Sequence, residues 1–207
     1  MNILSLTVGP LQTNCYVLYG GGGRATVIDP GGSSSSILHV LRERCLTLDK
    51  ILLTHAHFDH IMAIEPLRSS GAELYLHADD LKMLNDPTLN CMLDFAGREE
   101  YFATPEHLLS DGDTIETDGG VLKVLHTPGH TKGSVCYVGD GVIFTGDTLF
   151  RESAGRTDLY GGSFEMLLAS LKKLSGLTGE YRLLCGHGPD STLTYEKNNN
   201  IYMKTLR

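Results

Sequence analysis

Short apolar runs separated by turn residues are the main pattern along this chain. They are rich in β-branched and aromatic residues, which is typical of β-strands. The runs that predict strands are residues 3–8, 15–19, 25–28, 50–53, 73–76, 114–116, 121–125, 135–138, 142–144 and 181–185. The four glycines at 20–23 lead from one such run into the next. They therefore predict a hairpin turn, because a phosphate-binding loop would lead into a helix.

Apolar residues three and four positions apart predict the helices. The hydroxyls of residues 33–36 are N-cap candidates for a first helix. Its apolar face would consist of Ile37, Leu38, Leu41 and Cys45. A second helical pattern contains Ile61, Ile64 and Leu67. Pro66 fits only a first helical turn, so this helix should be short or kinked.

The clearest helical pattern lies in the C-terminal third. Ser163 is suited to cap this helix, Glu165 favours its N-terminal end, and Gly176 can close it. Its apolar face would consist of Phe164, Leu167, Leu168, Leu171 and Leu174. Residues 78–101 predict only short helices and loops, because Pro87 and Gly97 interrupt them. A last helix of modest length should follow the final strand.

The composition predicts one globular domain over residues 1–207, since 41% of the residues are hydrophobic and can form a core. The formal net charge of −8 argues against binding to nucleic acid or to anionic membranes, which require a basic face. The five cysteines are scattered and include no CxxC pair, which favours a reducing compartment. With no signal-peptide pattern and no long apolar run, we expect a soluble cytoplasmic protein.

The densest candidate chemistry is the group His55, His57, Asp59 and His60, directly after the predicted strand 50–53. His55 and His57 are two positions apart, so their side chains face the same way in an extended segment. Asp59 and His60 can point to a second position nearby. Imidazole and carboxylate ligands suit zinc, iron or manganese, and no cysteine lies in the cluster to indicate a closed structural zinc site. The pattern predicts a site for two metal ions. The alternative is a polar loop in which the histidines are accidental.

Three further strand-like runs also end in a potential ligand. These ligands are His130, Asp147 and His187, each preceded by a glycine that lets the backbone approach an ion closely. Strand ends can converge at one edge of a sheet, where the ligand sites of α/β proteins tend to lie. Either histidine alone is typical of a structural residue. Together with the cluster, they complete a two-ion site.

These motifs resemble the metallo-β-lactamase superfamily, whose fold is a four-layer αβ/βα sandwich with the metal site at one edge. The stretches 145–150 and 155–158 are similar to the glyoxalase II branch, the hydroxyacylglutathione hydrolases, and especially to its short single-domain members. Longer members carry a C-terminal glutathione-binding extension, and this chain stops too soon to contain one. We therefore expect a single domain over residues 1–207 without that extension.

The resemblance implies a role for each ligand. Three histidines would hold a first ion, three residues would hold a second, and Asp147 would bridge them. The first set is His55, His57 and His130, and the second is Asp59, His60 and His187. Asp29 would fix the cluster loop by contacting the ligands, or else it is simply a turn carboxylate before Pro30.

Two basic residues are candidates for substrate binding. Arg156 lies where glyoxalase II relatives place a residue that contacts the thiol carrier, and the alternative is a structural salt bridge to Asp158. Lys132 replaces a proline that is common after Gly-His-Thr. It would add a positive charge at the mouth of the site, or else it is a solvated surface lysine.

The expected activity is hydrolysis of a small thioester by a hydroxide held between two divalent ions, most simply Zn²⁺, with Fe or Mn as alternatives. Asp147 would hold both ions, and Asp59 would also orient the hydroxide. One alternative is a persulfide dioxygenase-like oxidoreductase that uses one iron in the first site. Another is a metal-binding module without catalysis. Catalysis by Cys136 or Cys185 is disfavoured, because strand-borne cysteines are usually inert.

Overall fold

The computed structural model of the protein describes residues 1–204, and its first sheet contains six strands. In spatial order they are β1 (Asn2–Val8), β2 (Thr13–Tyr19), β3 (Arg24–Ile28), β4 (Thr47–Leu52), β5 (Glu73–His77) and β6 (His107–Leu109). β1, β2 and β3 are antiparallel, whereas β3 to β6 are parallel. The carboxyl ends of β3, β4 and β5 therefore lie at the same edge of this sheet.

The second sheet also has six strands, and a small hairpin follows one of them. Its spatial order is β14 (Ser191–Thr192), β13 (Arg182–Cys185), β10 (Val142–Gly146), β9 (Val135–Gly139), β8 (Gly120–His126) and β7 (Thr114–Thr117). β10 and β13 are parallel, so both end at the same edge. The hairpin consists of β11 (Leu149–Phe150) and β12 (Ser153–Ala154).

Seven α-helices and one 3₁₀ turn lie within the described residues. The helices are α1 (Ser34–Glu43), α2 (Phe58–Ile61), α3 (Ile64–Arg68), α4 (Leu81–Leu84), α5 (Met92–Ala96), α6 (Phe164–Ser175) and α7 (Leu193–Asn199), and the 3₁₀ turn is Ala78–Asp80. None of these helices within residues 1–204 is long and apolar enough to cross a membrane. Pro66 lies in the first turn of α3, and the predicted second helix is divided into α2 and α3.

Alternation along the strands builds the layers. In β2, Tyr16 and Leu18 belong to the apolar cluster between the two sheets, whereas Cys15 and Val17 belong to the cluster beneath α1 and α3. On the far side of the second sheet, a third apolar cluster packs the strands of that sheet against Leu171 and neighbouring residues of α6. The order of layers is helices, sheet, sheet, helices. The predicted αβ/βα sandwich is confirmed.

The first helix differs from its prediction at both ends. Cys45 lies beyond Glu43, exposed and with a positive φ of 54°, so it is not on the buried face. The apolar spacing of the helix continues to this residue, but the backbone has already left the helix. At the start of the helix, Ser33 makes no side-chain cap. Its hydroxyl instead accepts a hydrogen bond from the Gly9 amide at 3.3 Å.

Candidate metal centre

The candidate ligands lie where strands of both sheets end. His55 and His57 follow β4, and Asp59 and His60 lie in the short helix α2 directly after them. His130 follows β8, Asp147 follows β10 and His187 follows β13. Because β10 and β13 are parallel neighbours, the last two residues leave their sheet side by side. The fold thus brings all seven side chains to one edge of the sandwich.

The first group consists of His55, His57 and His130, which offer ligand atoms within 4.8 Å of one another. His57 Nδ1 and His130 Nε2 are 2.9 Å apart. His130 Nδ1 lies 2.8 Å from the Arg156 carbonyl oxygen, so this nitrogen donates and Nε2 is left with its lone pair. His55 Nδ1 lies 3.1 Å from Thr54 Oγ1. Fixing one ring nitrogen in this way orients the other for a metal.

The second group consists of Asp59, His60 and His187. His187 Nε2 is 3.1 Å from Asp59 Oδ2, and His60 Nε2 is 3.5 Å from the same oxygen. Thr13 Oγ1 also donates to Asp59 Oδ2 at 3.1 Å. The carboxylate of Asp59 is therefore held in place by groups from three separate segments.

Asp147 lies between the two groups. Its Oδ1 is 3.5 Å from His60 Nε2, and its Oδ2 is 3.6 Å from both His130 Nε2 and His187 Nε2. One carboxylate oxygen therefore faces a histidine of each group. This is the position that a bridging ligand requires.

Several polar atoms at this centre are buried without a hydrogen-bond partner among residues 1–204. They include His55 Nε2, His60 Nε2 and Asp147 Oδ1, and these three residues also form a ligand set by distance. An unpaired buried polar atom is costly, so three of them in one place indicate that another group satisfies them. Nitrogen and carboxylate donors together suit zinc, iron or manganese. The residues fit a pair of divalent cations.

The electrostatics of the centre also favour cations. Burial and the neighbouring His60 lower the pKa of His55, and burial and His130 lower the pKa of His57, so both rings are neutral and keep a lone pair that a metal could use. Burial also lowers the pKa of His60, but Asp59, Asp29 and Asp147 outweigh it and raise that pKa to about 10. These carboxylates therefore stabilise positive charge at the centre. Burial opposes ionisation of Asp59, yet His60 and His187 hold its pKa below the usual range.

Asp29 supports the cluster loop. Its carboxylate accepts hydrogen bonds from the Thr54 amide and the Thr54 hydroxyl, both at 2.7 Å. The same carboxylate lies 3.0 Å from His60 Nδ1, which leaves His60 Nε2 facing Asp59 and Asp147. Asp29 thus contacts one candidate ligand directly and reaches His55 through Thr54. This is more than a turn carboxylate before Pro30 would do.

Asp80 is a buried residue of the site that the sequence pattern does not reveal. Its carboxylate accepts hydrogen bonds from the Ala56 amide at 3.1 Å, the Thr131 hydroxyl at 2.8 Å and the Gly133 amide at 2.7 Å. Burial raises the pKa of Asp80 above its usual value, and these hydrogen bonds offset only part of that effect. Asp80 joins the loop of His55 and His57 to the loop of His130. Its position just after β5 is the one available signal, because other site residues also follow strands.

Two of the three glycines beside the ligands are explained by close approach to the site. A Cβ atom on Gly186 would lie 2.1 Å from Asp147 Oδ1, and one on Gly146 would lie 2.3 Å from Thr54 Oγ1. Gly129 has a different reason. A Cβ atom there would lie 2.3 Å from the Leu167 amide nitrogen, so this glycine lets the His130 loop pack on α6.

A cavity of about 310 Å³ opens onto the centre. Its wall includes ligands of both groups and Arg156. Arg156 is held by Asp158 through two hydrogen bonds of 2.7 Å, from Nε and from one terminal nitrogen. Lys132 is not part of this wall. Its Nζ lies 5.8 Å from the centre of the Tyr160 ring, in a cation–π contact that accounts for its position.

The cysteines considered as nucleophiles are inert in this environment. Burial raises the pKa of Cys136 to about 11 and that of Cys185 to about 12, so neither is a thiolate near neutral pH. Cys136 belongs to the apolar cluster under α6. Cysteine-based catalysis is therefore disfavoured.

The sequence as a whole supports the same interpretation as the geometry. A model of the metallo-β-lactamase superfamily matches residues 8–187. This chain belongs to the metallo-β-lactamase superfamily. Among its relatives, the probable metallo-hydrolase YqgX of Bacillus subtilis is 38% identical over 202 residues, which cover 96% of this chain and 95% of YqgX. The hydroxyacylglutathione hydrolase GloC of Haemophilus influenzae is 31% identical over 210 residues, 99% of each chain.

Solved structures of superfamily members agree with the fold of this one. The crystal structure of BLEG-1 B3 metallo-β-lactamase superposes with a TM-score of 0.92 at 40% identity, covering 98% of this chain and 99% of that one. TTHA1623 in a di-iron-bound form has a TM-score of 0.87 at 37% identity, with coverage of 96% and 99%. The fold and the metal-dependent hydrolase family are thus shown by sequence and by structure.

Proposed function

We propose that this superfamily member hydrolyses thioesters of the hydroxyacylglutathione type with two bound divalent metal ions. The observation that carries the proposal is the completeness of both ligand groups around Asp147. The similarity to GloC over 99% of each chain supports the thioester as substrate. Zn²⁺ is the proposed metal because it suits nitrogen and oxygen donors and needs no redox change. The di-iron form of TTHA1623 makes iron the main competitor.

Such ions, when bound, lower the pKa of a water molecule and polarise a carbonyl group. The chain's own residues hold and orient the reactants. Asp59 lines the cavity with one oxygen fixed by Thr13, so it can accept a hydrogen bond from the attacking water. A thiol is a good leaving group, so the reaction needs no strongly acidic side chain at the departing sulfur. Arg156 is the proposed contact for a carboxylate of the thiol carrier.

The experiment that tests this proposal measures metal content and activity on the same sample. Protein purified without chelators should contain about two metal ions per chain. It should release thiol from an S-hydroxyacylglutathione in the absence of oxygen. Removal of the metal should abolish thiol release, and Zn²⁺ should restore it. A single ion at saturation, with oxygen consumption and no thioester turnover, would support the one-iron oxidoreductase instead.

Hydrolysis of a β-lactam amide is a second candidate, supported by 40% identity to BLEG-1 over nearly the whole of both chains. The same water and the same polarised carbonyl would serve either bond. The amide nitrogen is a poorer leaving group than a thiolate and must gain a proton as it departs. A penicillin and a thioester assayed on one preparation separate the two activities. A higher kcat/KM for the penicillin would reject the thioesterase assignment.

A further inference from the structure

The wall of the cavity beside the metal centre is largely apolar. It includes Phe58, Phe95, Phe150 and Leu11. The rings of Phe58 and Phe95 are stacked, with their centres 5.9 Å apart and an angle of 10° between their planes. The Phe150 ring lies 6.2 Å from the ring of His187, so apolar surface reaches the second ligand group.

Two of these side chains are about half exposed. Phe95 is 57% exposed and Leu11 is 47% exposed, although both are large and apolar. They lie in one concave surface together with the candidate ligands. Apolar side chains that line a concave site with a few converging polar groups are typical of small-molecule binding. A substrate bound in this concave surface would cover the exposed faces of Phe95 and Leu11.

The charges of the wall do not match a highly charged carrier. Arg156 is the one lysine or arginine among the described residues that line this cavity. Its guanidinium group already forms two hydrogen bonds with Asp158. Glutathione carries two carboxylates and an ammonium group. Among side chains, its two carboxylates would therefore find one cation, which Asp158 already pairs, whereas an apolar group meets several suitable side chains.

We infer that the site takes thioesters with an apolar, uncharged group next to the scissile carbonyl, on the acyl or the thiol side. This inference rests on the proposed thioester hydrolysis, and within it favours substrates with an apolar group over the glutathione thioesters. The apolar group packs against Phe95 and Leu11 and removes their faces from water. Complete burial of one methylene group strengthens binding about fourfold. Partial burial should therefore strengthen binding about two- to fourfold per methylene.

The first test is a pair of matched substrate series. In one series, acetyl, butanoyl, hexanoyl and octanoyl groups are carried on the same small neutral thiol. In the other, the acyl group is always acetyl and the alkyl thiol is lengthened. We expect kcat/KM to rise about two- to fourfold per methylene in at least one series until the cavity is filled. The series that rises identifies which side of the thioester occupies the wall. A flat response in both, with glutathione thioesters hydrolysed faster, would overturn the inference.

Substitutions in the cavity wall test whether the wall causes the dependence of kcat/KM on chain length. Phe95→Ala and Leu11→Ala should each flatten the dependence on chain length, with the largest losses for the longest groups. Leu93 is a matched control for Phe95, because it lies on the same helix α5 and is 42% exposed but is not part of the wall. Leu108 is 48% exposed and serves in the same way for Leu11. Leu93→Ala and Leu108→Ala should keep the dependence of the unmodified protein. Equal flattening by all four variants would contradict a binding role for Phe95 and Leu11.

A binding measurement separates failure of the inference from failure of the proposed function. Methyl ketones with propyl to heptyl chains resemble the thioesters but cannot be hydrolysed. Titration calorimetry on the metal-loaded protein should show Kd falling about two- to fourfold per methylene, with a weaker trend in Phe95→Ala. If no thioester is hydrolysed but the ketones show this trend, the thioesterase proposal fails and the apolar site stands. A Kd that is independent of chain length would overturn the apolar site, whatever the enzyme hydrolyses.

Discussion

The carboxylate of Asp80 accepts a hydrogen bond from the amide of Ala56 at 3.1 Å. Ala56 lies between His55 and His57, so the contact fixes the backbone from which both side chains project. The other hydrogen bonds of Asp80 go to Thr131 and Gly133, beyond His130. One buried side chain thus joins the two loops that supply the first ligand group.

We expect Asp80→Asn to destabilise the protein by about 1–3 kcal/mol, because an amide nitrogen would face donors that now reach a carboxylate oxygen. The first ligand group should also lose metal before the second does. Chemical denaturation and metal analysis during stepwise chelation measure the two effects. Asp79→Asn is the matched control, since Asp79 is adjacent and exposed. Unchanged stability with unchanged metal release would show that Asp80 does not hold these loops.

The sequence predicts much of this fold because most strands carry their own local signal. The short strand β6 is different, since three residues show no period and pair only because β5 lies alongside. The hairpin of β11 and β12, with two residues in each strand, is missed for the same reason. Cys45 continues the apolar spacing of α1, although the helix has already ended before it. In each case the deciding contact or turn leaves no repeating pattern.

The candidate site divides in a similar way. His55, His57, Asp59 and His60 stand out because they are close together in sequence. The role of Asp80 depends on partners that lie 24, 51 and 53 positions away, so no local motif contains it. The apolar wall likewise combines Leu11 with residues near positions 95 and 150. A dense group of candidate ligands can be recognised in a sequence. Supporting contacts and cavity walls can be identified only in the folded structure.

Thr54 gives a second prediction, because its hydroxyl donates a hydrogen bond to Asp29 and accepts one from His55 Nδ1. Thr54→Val keeps the shape but removes both interactions. We expect metal affinity to fall about 10–100-fold, the usual cost of losing a group that orients a ligand histidine. Competition with a chelating dye measures the affinity. Thr26→Val, at a buried threonine of β3, is the control for replacing a buried hydroxyl by a methyl group. Equal affinities for both variants would exclude this role for Thr54.

His187 tests whether two ions are needed. It belongs to the second group only, and at 28% exposure of its side chain it is more accessible than its partners Asp59 and His60. We expect His187→Ala to reduce the metal content by about half and to remove most thioester hydrolysis. Elemental analysis and a thiol-release assay give the two values. His39→Ala removes an exposed histidine of α1 and should change neither. Full hydrolysis with one remaining ion would contradict a two-metal mechanism.

Arg156 and Asp158 form the sharpest test of how a charged substrate is recognised. Both side chains are more than half exposed and form a bidentate pair, and Asp158 competes with any substrate carboxylate for the guanidinium group. If Arg156 binds a carboxylate of the thiol carrier, Arg156→Ala should raise KM for a carboxylate-bearing thioester about ten- to a hundredfold. This is the usual cost of losing a charge-assisted contact. The increase for a neutral thioester should be smaller.

Asp158→Asn should have the opposite effect on the same charged substrate. It removes the competing charge and leaves Arg156 free, so KM for the carboxylate-bearing thioester should fall while metal content stays at the level of the unmodified protein. Steady-state kinetics of both variants on a charged and a neutral thioester complete the comparison. If the pair only holds the loop whose Arg156 carbonyl accepts from His130, both variants should instead impair both substrates alike. The opposite signs expected for the two substitutions therefore distinguish substrate recognition from a structural salt bridge.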